Sequence, residues 1–190
     1  MCKEFSVGRS IARRALRYLE QDGLVEIEEN RGARVSATTV EEVFDLYELR
    51  AALYGLAARV ACMRATDEEI VSMSADIDRM LEIAADGYPA DEVIEASERI
   101  FSRMVSFASA DAQQMVASVR RKTHFHFSYA ALALNNNSLG AYDFWRDVRA
   151  GLASRDADAV AQAARNILYF MQGEVARIML SRRPRTREQH

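Results

Sequence analysis

The sequence predicts a mainly α-helical protein, in which a basic helix and a β-hairpin precede an antiparallel all-α helical bundle. The 190 residues include only 2 prolines and 8 glycines, so long stretches of the chain lack helix breakers. Hydrophobic residues make up 49% of the chain and charged residues 28%, which is enough apolar surface for a folded core. Apolar residues recur with the helical period over most of the length, whereas residues 24–28 alternate between apolar and acidic.

The composition argues against several classes of protein. The longest apolar run, residues 51–63, is interrupted by Arg59 and is shorter than the roughly 20 residues of a membrane-spanning helix. No cationic segment followed by an apolar stretch marks a secretory signal, so we expect a cytoplasmic protein without membrane contact. Cys2 and Cys62 are too few for a disulfide framework and too far apart for a zinc site, so both are interpreted as thiols.

The first predicted element is a basic helix that ends near Gln21. Arg9, Arg13 and Arg17 recur every fourth residue, which places them in one stripe on the outer face of the helix. Gly23 follows the point where the periodicity stops, as expected just beyond a helix C-terminus. The predicted buried face consists of Ala12, Ala15, Leu16 and Leu19.

A short β-hairpin follows this helix. Residues 24–28 form the predicted first strand, residues 30–32 the turn and residues 33–35 the second strand. A basic helix followed by a hairpin with arginine near its tip is typical of a winged helix on DNA, where the helix enters the major groove. Arginine suits this task because its planar fork contacts guanine or phosphate with two hydrogen bonds. The alternative is a solvated, salt-bridged helix face.

Residues 5–25, continued by residues 30–35, resemble the winged helix of GntR-family bacterial transcription regulators. The resemblance implies that Arg9 and Arg13 contact DNA from a recognition helix and that Arg31 and Gly32 form the wing tip. Arg14 stands where the family often has glutamate, which should strengthen the attraction to phosphate without adding base information. The predicted DNA-binding residues are Arg9, Arg13, Arg14, Arg17, Arg31 and Gly32.

The sequence also departs from the family pattern at several positions. Gly8 replaces the usual serine, and Ile11 replaces a frequent proline. The family module begins with a further helix and most of another, so the sequence predicts a partial winged helix-turn-helix made of the recognition helix and the β-hairpin wing. We expect the apolar face of the recognition helix to be partly exposed as a result.

Helix signals dominate the rest of the chain. Glu41 and Glu42 open a helix that continues to about Ala65, and Thr66 caps a second one that stops around Asp86. The apolar stripe of the first consists of Val43, Leu46, Leu49, Leu53, Leu56 and Val60. Further helices are predicted over residues 93–107, 112–134, 139–153 and 156–180. The predicted domains are a partial winged helix (1–37), a helical bundle (38–181) and a basic C-terminal tail (182–190).

Residues 41–53, Phe101, residues 108–111 and residues 153–157 resemble the ligand-sensing FCD domain of the FadR subgroup. The resemblance implies a homodimer whose bundle binds a small metabolite, commonly a carboxylate, and thereby changes DNA affinity. In most such domains an aspartate and three histidines hold a divalent metal. The matching positions here are Glu98, Ser102, Trp145 and Ile167, with Asn166 as the alternative to the last.

One carboxylate, Glu98, cannot by itself hold a transition metal that needs four or more donors, so we expect neither a metal nor another cofactor. Trp145 and Ile167 should make the pocket more apolar, and Glu98 with Ser102 should hydrogen-bond a hydroxyl or an amine. Alternatively, Glu98 is a paired or solvent-facing carboxylate. His124 and His126 lie about 200° apart on a helix and cannot chelate one ion.

An inward-facing arginine at Arg120 or Arg121 would clamp a carboxylate or a phosphate; the alternative is interface or surface charge. The predicted ligand-pocket residues are Glu98, Ser102, Arg121, Trp145 and Ile167.

Glycine-rich phosphate loops, Cys–His pairs, nucleophile elbows and Glu-x-x-His motifs are all absent from the sequence, so an enzyme is not favoured.

The sequence thus favours a ligand-responsive, DNA-binding transcription regulator whose partners are operator DNA, a small-molecule effector and a second copy of the chain. The alternative is a helical sensing and dimerisation module that has lost DNA binding.

Overall fold

The computed structural model describes residues 8–21, 25–28, 32–35, 39–123 and 139–181. The chain divides into two compact units, Met1–Thr39 and Val40–His190. The first contains helix α1 (Arg9–Gln21) and strands β1 (Val25–Glu28) and β2 (Gly32–Val35). The second contains helices α2 (Val40–Arg64), α3 (Asp67–Ala85), α4 (Ala90–Ser106), α5 (Ala110–Thr123), α6 (Leu139–Ser154) and α7 (Ala157–Ser181).

The first unit confirms the predicted helix and hairpin. Strands β1 and β2 pair antiparallel, with Val25 opposite Val35 and Glu28 opposite Gly32. Gly32 has a φ of 96°, a backbone conformation that favours glycine at the start of the returning strand. Arg34 on β2 forms an ion pair with Glu26 on β1 at 2.5 Å, so the charges of this hairpin partly neutralise each other.

The predicted buried face of α1 is only partly buried. Ala12 is 7% exposed and Leu16 is half-buried, whereas Ala15 is exposed and Leu19 is 36% exposed. One helix and one two-stranded hairpin, the described elements of this unit, do not bring enough apolar surface to cover the whole face. The expectation of a partly exposed recognition helix agrees with this exposure.

The second unit is an all-α bundle, as predicted, with its core between the two longest helices. Helices α2 and α7, with 25 residues each, pack along one another. Helix α2 also contacts α4 and α5, while α6 packs on α3 and α7. In the described part of the chain, none of the helices is both long and apolar enough to cross a membrane. The end of the predicted helix 112–134, both internal histidines and the basic tail lie outside the described residues.

The buried face of α2 differs from the predicted leucine stripe. Val43 is fully buried, but Leu49 and Leu56 are 50% and 45% exposed. Small residues occupy the part of the buried face that α7 approaches closely: a Cβ added to Gly55 would lie 3.2 Å from the Ala161 carbonyl oxygen. Bulky leucines do not fit there and turn outward. The buried residues of α2 are Val40, Val43, Tyr47, Arg50, Ala51, Tyr54, Gly55, Ala57, Ala58, Ala61 and Cys62.

A single arginine joins two turns of the bundle. Arg155, between α6 and α7, has a φ of 57°, and its Nη1 donates to the carbonyl oxygens of Cys62 at 2.9 Å and Ala65 at 2.7 Å. Its Nη2 contacts Asp67 Oδ1 at 2.5 Å, at the start of α3. Arg155 therefore satisfies carbonyl groups at the C-terminal end of α2 and fixes the α2–α3 turn against the α6–α7 turn.

We expect Arg155→Ala to lower the free energy of unfolding by about 1 to 2 kcal/mol, because it removes two hydrogen bonds to carbonyl oxygens and leaves these acceptors without that donor. Urea denaturation measures this change. Arg146→Ala is the matched control: Arg146 pairs with Asp143 three residues earlier, both side chains are exposed, and we expect a change within about 0.5 kcal/mol. Equal stability of the two variants would show that the link between the turns contributes nothing.

Candidate functional site

A cluster of charged and polar side chains is buried where α2, α4 and α5 meet. Arg50 on α2 is 4% exposed, Glu98 on α4 is 7% exposed and Thr123 on α5 is fully buried. Arg50 Nη2 forms an ion pair with Glu98 Oε1, and the Tyr54 hydroxyl lies 3.4 Å from Glu98 Oε2. The buried charge cluster comprises Arg50, Tyr54, Glu98, Arg120 and Thr123.

Arg120 supplies the second cation of the buried charge cluster. Its Nε lies 3.1 Å from Glu98 Oε2, and its Nη1 donates to Ser102 Oγ at 2.8 Å. Each carboxylate oxygen of Glu98 therefore contacts a different guanidinium group. Arg50 and Arg120 each carry a formal positive charge and Glu98 a negative one, so the three groups have a net charge of about +1. This net charge favours an anion nearby. The Arg120 side chain is 41% exposed, so this end of the cluster reaches solvent.

Aromatic rings cover one side of the cluster. The rings of Tyr54 and Phe101 meet edge to face with centroids 4.6 Å apart, and Phe101 lies 4.9 Å from Trp145. Trp145 and Ile167 are 3% and 5% exposed. The charged centre of the cluster therefore lies against an apolar wall that includes Phe101 and Trp145.

Burial governs the ionisation of the tyrosines at the cluster. It raises the pKa of Tyr54 and of Tyr47 above the ordinary value, and the Arg50 cation opposes this effect without cancelling it. Burial on its own would lower the pKa of Arg50, but the neighbouring Tyr54 and Glu98 raise it above its ordinary value. Arg50 thus stays charged and the tyrosines stay neutral at physiological pH. Arg50 is therefore the cation that pairs with the Glu98 carboxylate inside the bundle.

Of the five predicted pocket residues, Glu98 and Ser102 both contact Arg120, and Trp145 lies beside Phe101 at the edge of the cluster. Ile167 is buried in the hydrophobic core of the bundle. Arg121 is exposed, and its neighbour Arg120 is the arginine that reaches Glu98. One residue is a rotation of about 100° on a helix, which separates the two side chains.

Sequence reasoning missed Arg50, Tyr54 and Thr123. Arg50 carries a usable signal, because it lies between Tyr47 and Tyr54 at helical spacing within a long apolar stretch. A charged residue on an apolar helix face needs a buried partner, and Glu98 is the carboxylate that provides it.

The described residues do not fit the divalent metal that the FCD resemblance implies. Trp145 and Ile167 offer no ligand atom suited to such an ion, and Ser102 Oγ accepts a hydrogen bond from Arg120. Both oxygens of Glu98 contact guanidinium groups, so a metal ion would have to displace Arg120 and lie beside the Arg50 charge. Elsewhere in the described ranges, no three His, Cys, Asp or Glu side chains are placed to hold a metal ion.

The predicted DNA-binding residues lie in the first unit. The helix α1 arginines Arg9, Arg13, Arg14 and Arg17 are all exposed. Gly32 is exposed at the start of β2, and Arg31 lies outside the described residues.

An arginine-bearing helix with a β-hairpin, followed by an all-α bundle with a buried charged centre, defines a winged-helix protein with a helical second domain. Residues 45–170 match the FCD domain family, and residues 1–35 match the bacterial regulatory proteins of the gntR family. The chain therefore belongs to the gntR family of bacterial regulatory proteins and carries an FCD domain.

Two relatives share recognisable sequence with the chain. The Nta operon transcriptional regulator of Aminobacter aminovorans is 32% identical over 127 residues, and the HTH-type transcriptional regulator YdhC of Bacillus subtilis (strain 168) is 25% identical over 126 residues. Each match covers 66% of this chain. It spans 59% and 56%, respectively, of the length of these relatives.

Solved structures share the fold. The E. coli protein McbR/YncC superposes with a TM-score of 0.73 at 13% identity, covering 95% of this chain and 84% of that chain. A GntR-family transcriptional regulator from Pseudomonas syringae pv. tomato superposes with a TM-score of 0.62 at 18% identity, covering 95% of this chain and 74% of that chain. Both likenesses extend over nearly the whole chain and confirm the fold class.

We expect Glu98→Gln to lower the free energy of unfolding by about 3 to 5 kcal/mol, because it removes the carboxylate that faces the buried Arg50. Chemical denaturation followed by circular dichroism measures the loss. Glu95→Gln is the control on the same helix, since Glu95 is exposed and lies 3.9 Å from the exposed Arg99. A Glu98→Gln protein as stable as the control would refute the structural role of the buried charge cluster.

Proposed function

We propose that the protein is a DNA-binding transcription regulator of the GntR/FadR type, which acts in the cytoplasm and senses a small metabolite in its helical bundle without a metal. The exposed arginine stripe of α1, next to a β-hairpin, is the observation that carries the DNA-binding part. Arg9 and Arg13 are one helical turn apart and approach the same stretch of major groove. Arg14 and Arg17 add attraction to phosphate.

The buried charge cluster is the proposed sensing site. Its excess of positive charge suits an anionic effector such as a carboxylate, because a guanidinium group pairs with a carboxylate through two parallel hydrogen bonds. Phe101, Trp145 and Ile167 provide the apolar wall for the rest of the molecule. Since Arg50, Glu98 and Arg120 come from three different helices, an anion that changes their pairing also changes how these helices pack.

A homodimer completes the proposal. Leu49, Leu56 and Met63 on α2 are 50%, 45% and 66% exposed, and their spacing of seven residues places them in one stripe. An exposed apolar stripe of this kind suits contact with a second copy, in which the same stripe meets its symmetry mate. A two-fold dimer sets its recognition helices roughly 34 Å apart, one turn of DNA.

We expect Leu56→Glu to shift the protein from dimer to monomer in light scattering at micromolar concentration, because it places charge in the apolar stripe. Val71→Glu is the control: Val71 on α3 is an equally apolar side chain and is 68% exposed. A wild-type protein that is already monomeric would exclude the homodimer, and dissociation by both variants would exclude this stripe.

We expect Arg13→Ala to weaken binding to a duplex selected from a random library by about 1 to 3 kcal/mol and to relax preference at one position. Arg31→Ala should weaken binding to every duplex alike and lower the salt slope by about one unit per half-site. Arg34→Ala is the control, since this hairpin arginine is paired with Glu26. Titration by fluorescence anisotropy at several salt concentrations separates the effects. If no arginine matters, the protein is a sensing and dimerisation module without DNA binding.

A further inference from the structure

A guanidinium group contacts residues at which the FCD resemblance places the ligands of a divalent metal. Arg120 bridges two of these four positions, with Nε 3.1 Å from Glu98 Oε2 and Nη1 2.8 Å from Ser102 Oγ. We propose that the Arg120 guanidinium group replaces the divalent metal in this chain, as a resident cation that the protein itself supplies. The site then contacts anions without any bound metal ion.

The requirement for a cation follows from the burial of Glu98. A carboxylate that is 7% exposed is unfavourable unless positive charge and hydrogen-bond donors compensate for the lost water. Arg50 contacts one oxygen of this carboxylate and Arg120 the other. A metal ion bound to a carboxylate performs the same neutralisation, so Arg120 removes the electrostatic reason for a metal here.

The remaining substitutions agree with this exchange. Trp145 and Ile167, at the other two matched positions, fill the core with apolar atoms and are 3% and 5% exposed. Ser102 has no imidazole group to bind an ion, but its hydroxyl group accepts the Arg120 hydrogen bond. The chain thus lacks three of the donors, and the remaining carboxylate contacts two arginines, Arg50 and Arg120.

A guanidinium group differs from a metal ion in ways that affect sensing. It cannot be exchanged or removed by a chelator, and it has five N–H donors in a fixed plane. Nε and one N–H of Nη1 face Glu98 and Ser102, so the two N–H groups of Nη2 can be offered to an anion from solution. The Arg120 side chain is 41% exposed and therefore accessible from solution. This consequence rests on the proposed sensing function, whereas the role of Arg120 as resident cation does not.

The first experiment measures metal content and stability of the whole protein. After dialysis, elemental analysis should show less than about 0.1 ion of zinc, nickel or manganese per chain, because the donors are missing. The melting temperature should be the same with and without EDTA. Near-stoichiometric metal, or a melting temperature that EDTA lowers by several degrees, would overturn the proposal.

The second experiment removes the resident cation and supplies it again. Arg120→Ala should melt at a lower temperature than wild type, and methylguanidinium at about 10 mM, far below denaturing concentrations, should raise the melting temperature of the variant but not of wild type. Methylammonium at the same concentration controls for ionic strength. Arg121→Ala, at the exposed neighbouring arginine, is the matched variant, and its melting temperature should not respond to methylguanidinium.

Two further variants keep the test decisive if Arg120→Ala does not fold. Arg120→Lys retains a cation and should melt closer to wild type than Arg120→Gln, which retains only hydrogen bonding. Equal melting temperatures for lysine and glutamine, or the absence of any methylguanidinium effect in a folded alanine variant, would refute the resident cation. A wild-type protein that binds no DNA or responds to no effector would instead refute the proposed function. The melting temperatures expected for these variants do not depend on that result.

Discussion

One buried carboxylate constrains the geometry of the bundle more than any apolar contact does. Glu98 on α4 faces Arg50 on α2 and Arg120 on α5, so three helices must keep a common register to satisfy one charge. Apolar contacts tolerate small shifts, but a buried charge without its partner is strongly unfavourable. The buried charge cluster therefore specifies how these helices meet, and the rest of the core fills the space around that arrangement.

The packing of α2 follows from this constraint together with the close approach of α7. Arg50 and Tyr54 turn the polar part of α2 toward Glu98, and small residues such as Ala58 and Gly55 face the neighbouring helices. Leu49 and Leu56 of the same helix are therefore displaced to the surface. The same helix thus carries the buried charge cluster on one side and an exposed apolar stripe on another, which connects the proposed sensing site to the proposed dimer surface through a single rigid element.

The second domain keeps the architecture of the FCD family and changes the chemistry at its centre. Glu98 retains a carboxylate, while the other matched positions carry a hydroxyl group, an indole ring and an aliphatic chain. Function is set by such local chemistry rather than by the fold, which solved structures share at only 13% and 18% identity. A tethered guanidinium group makes the site depend on the protein sequence alone and not on the supply of an ion.

Local signals in the sequence determined the elements, and only the tertiary structure decided how they face one another. The Thr66–Glu69 capping box, the 25–28 and 32–35 strand pair and the arginine periodicity of α1 depend on residues close in the chain. Which arginine reaches Glu98, and which face of α2 is buried, depend on helices distant in sequence. Periodicity shows which residues share a face, but it does not show which face meets a neighbour; at about 100° per residue, a shift of one position replaces Arg121 by Arg120.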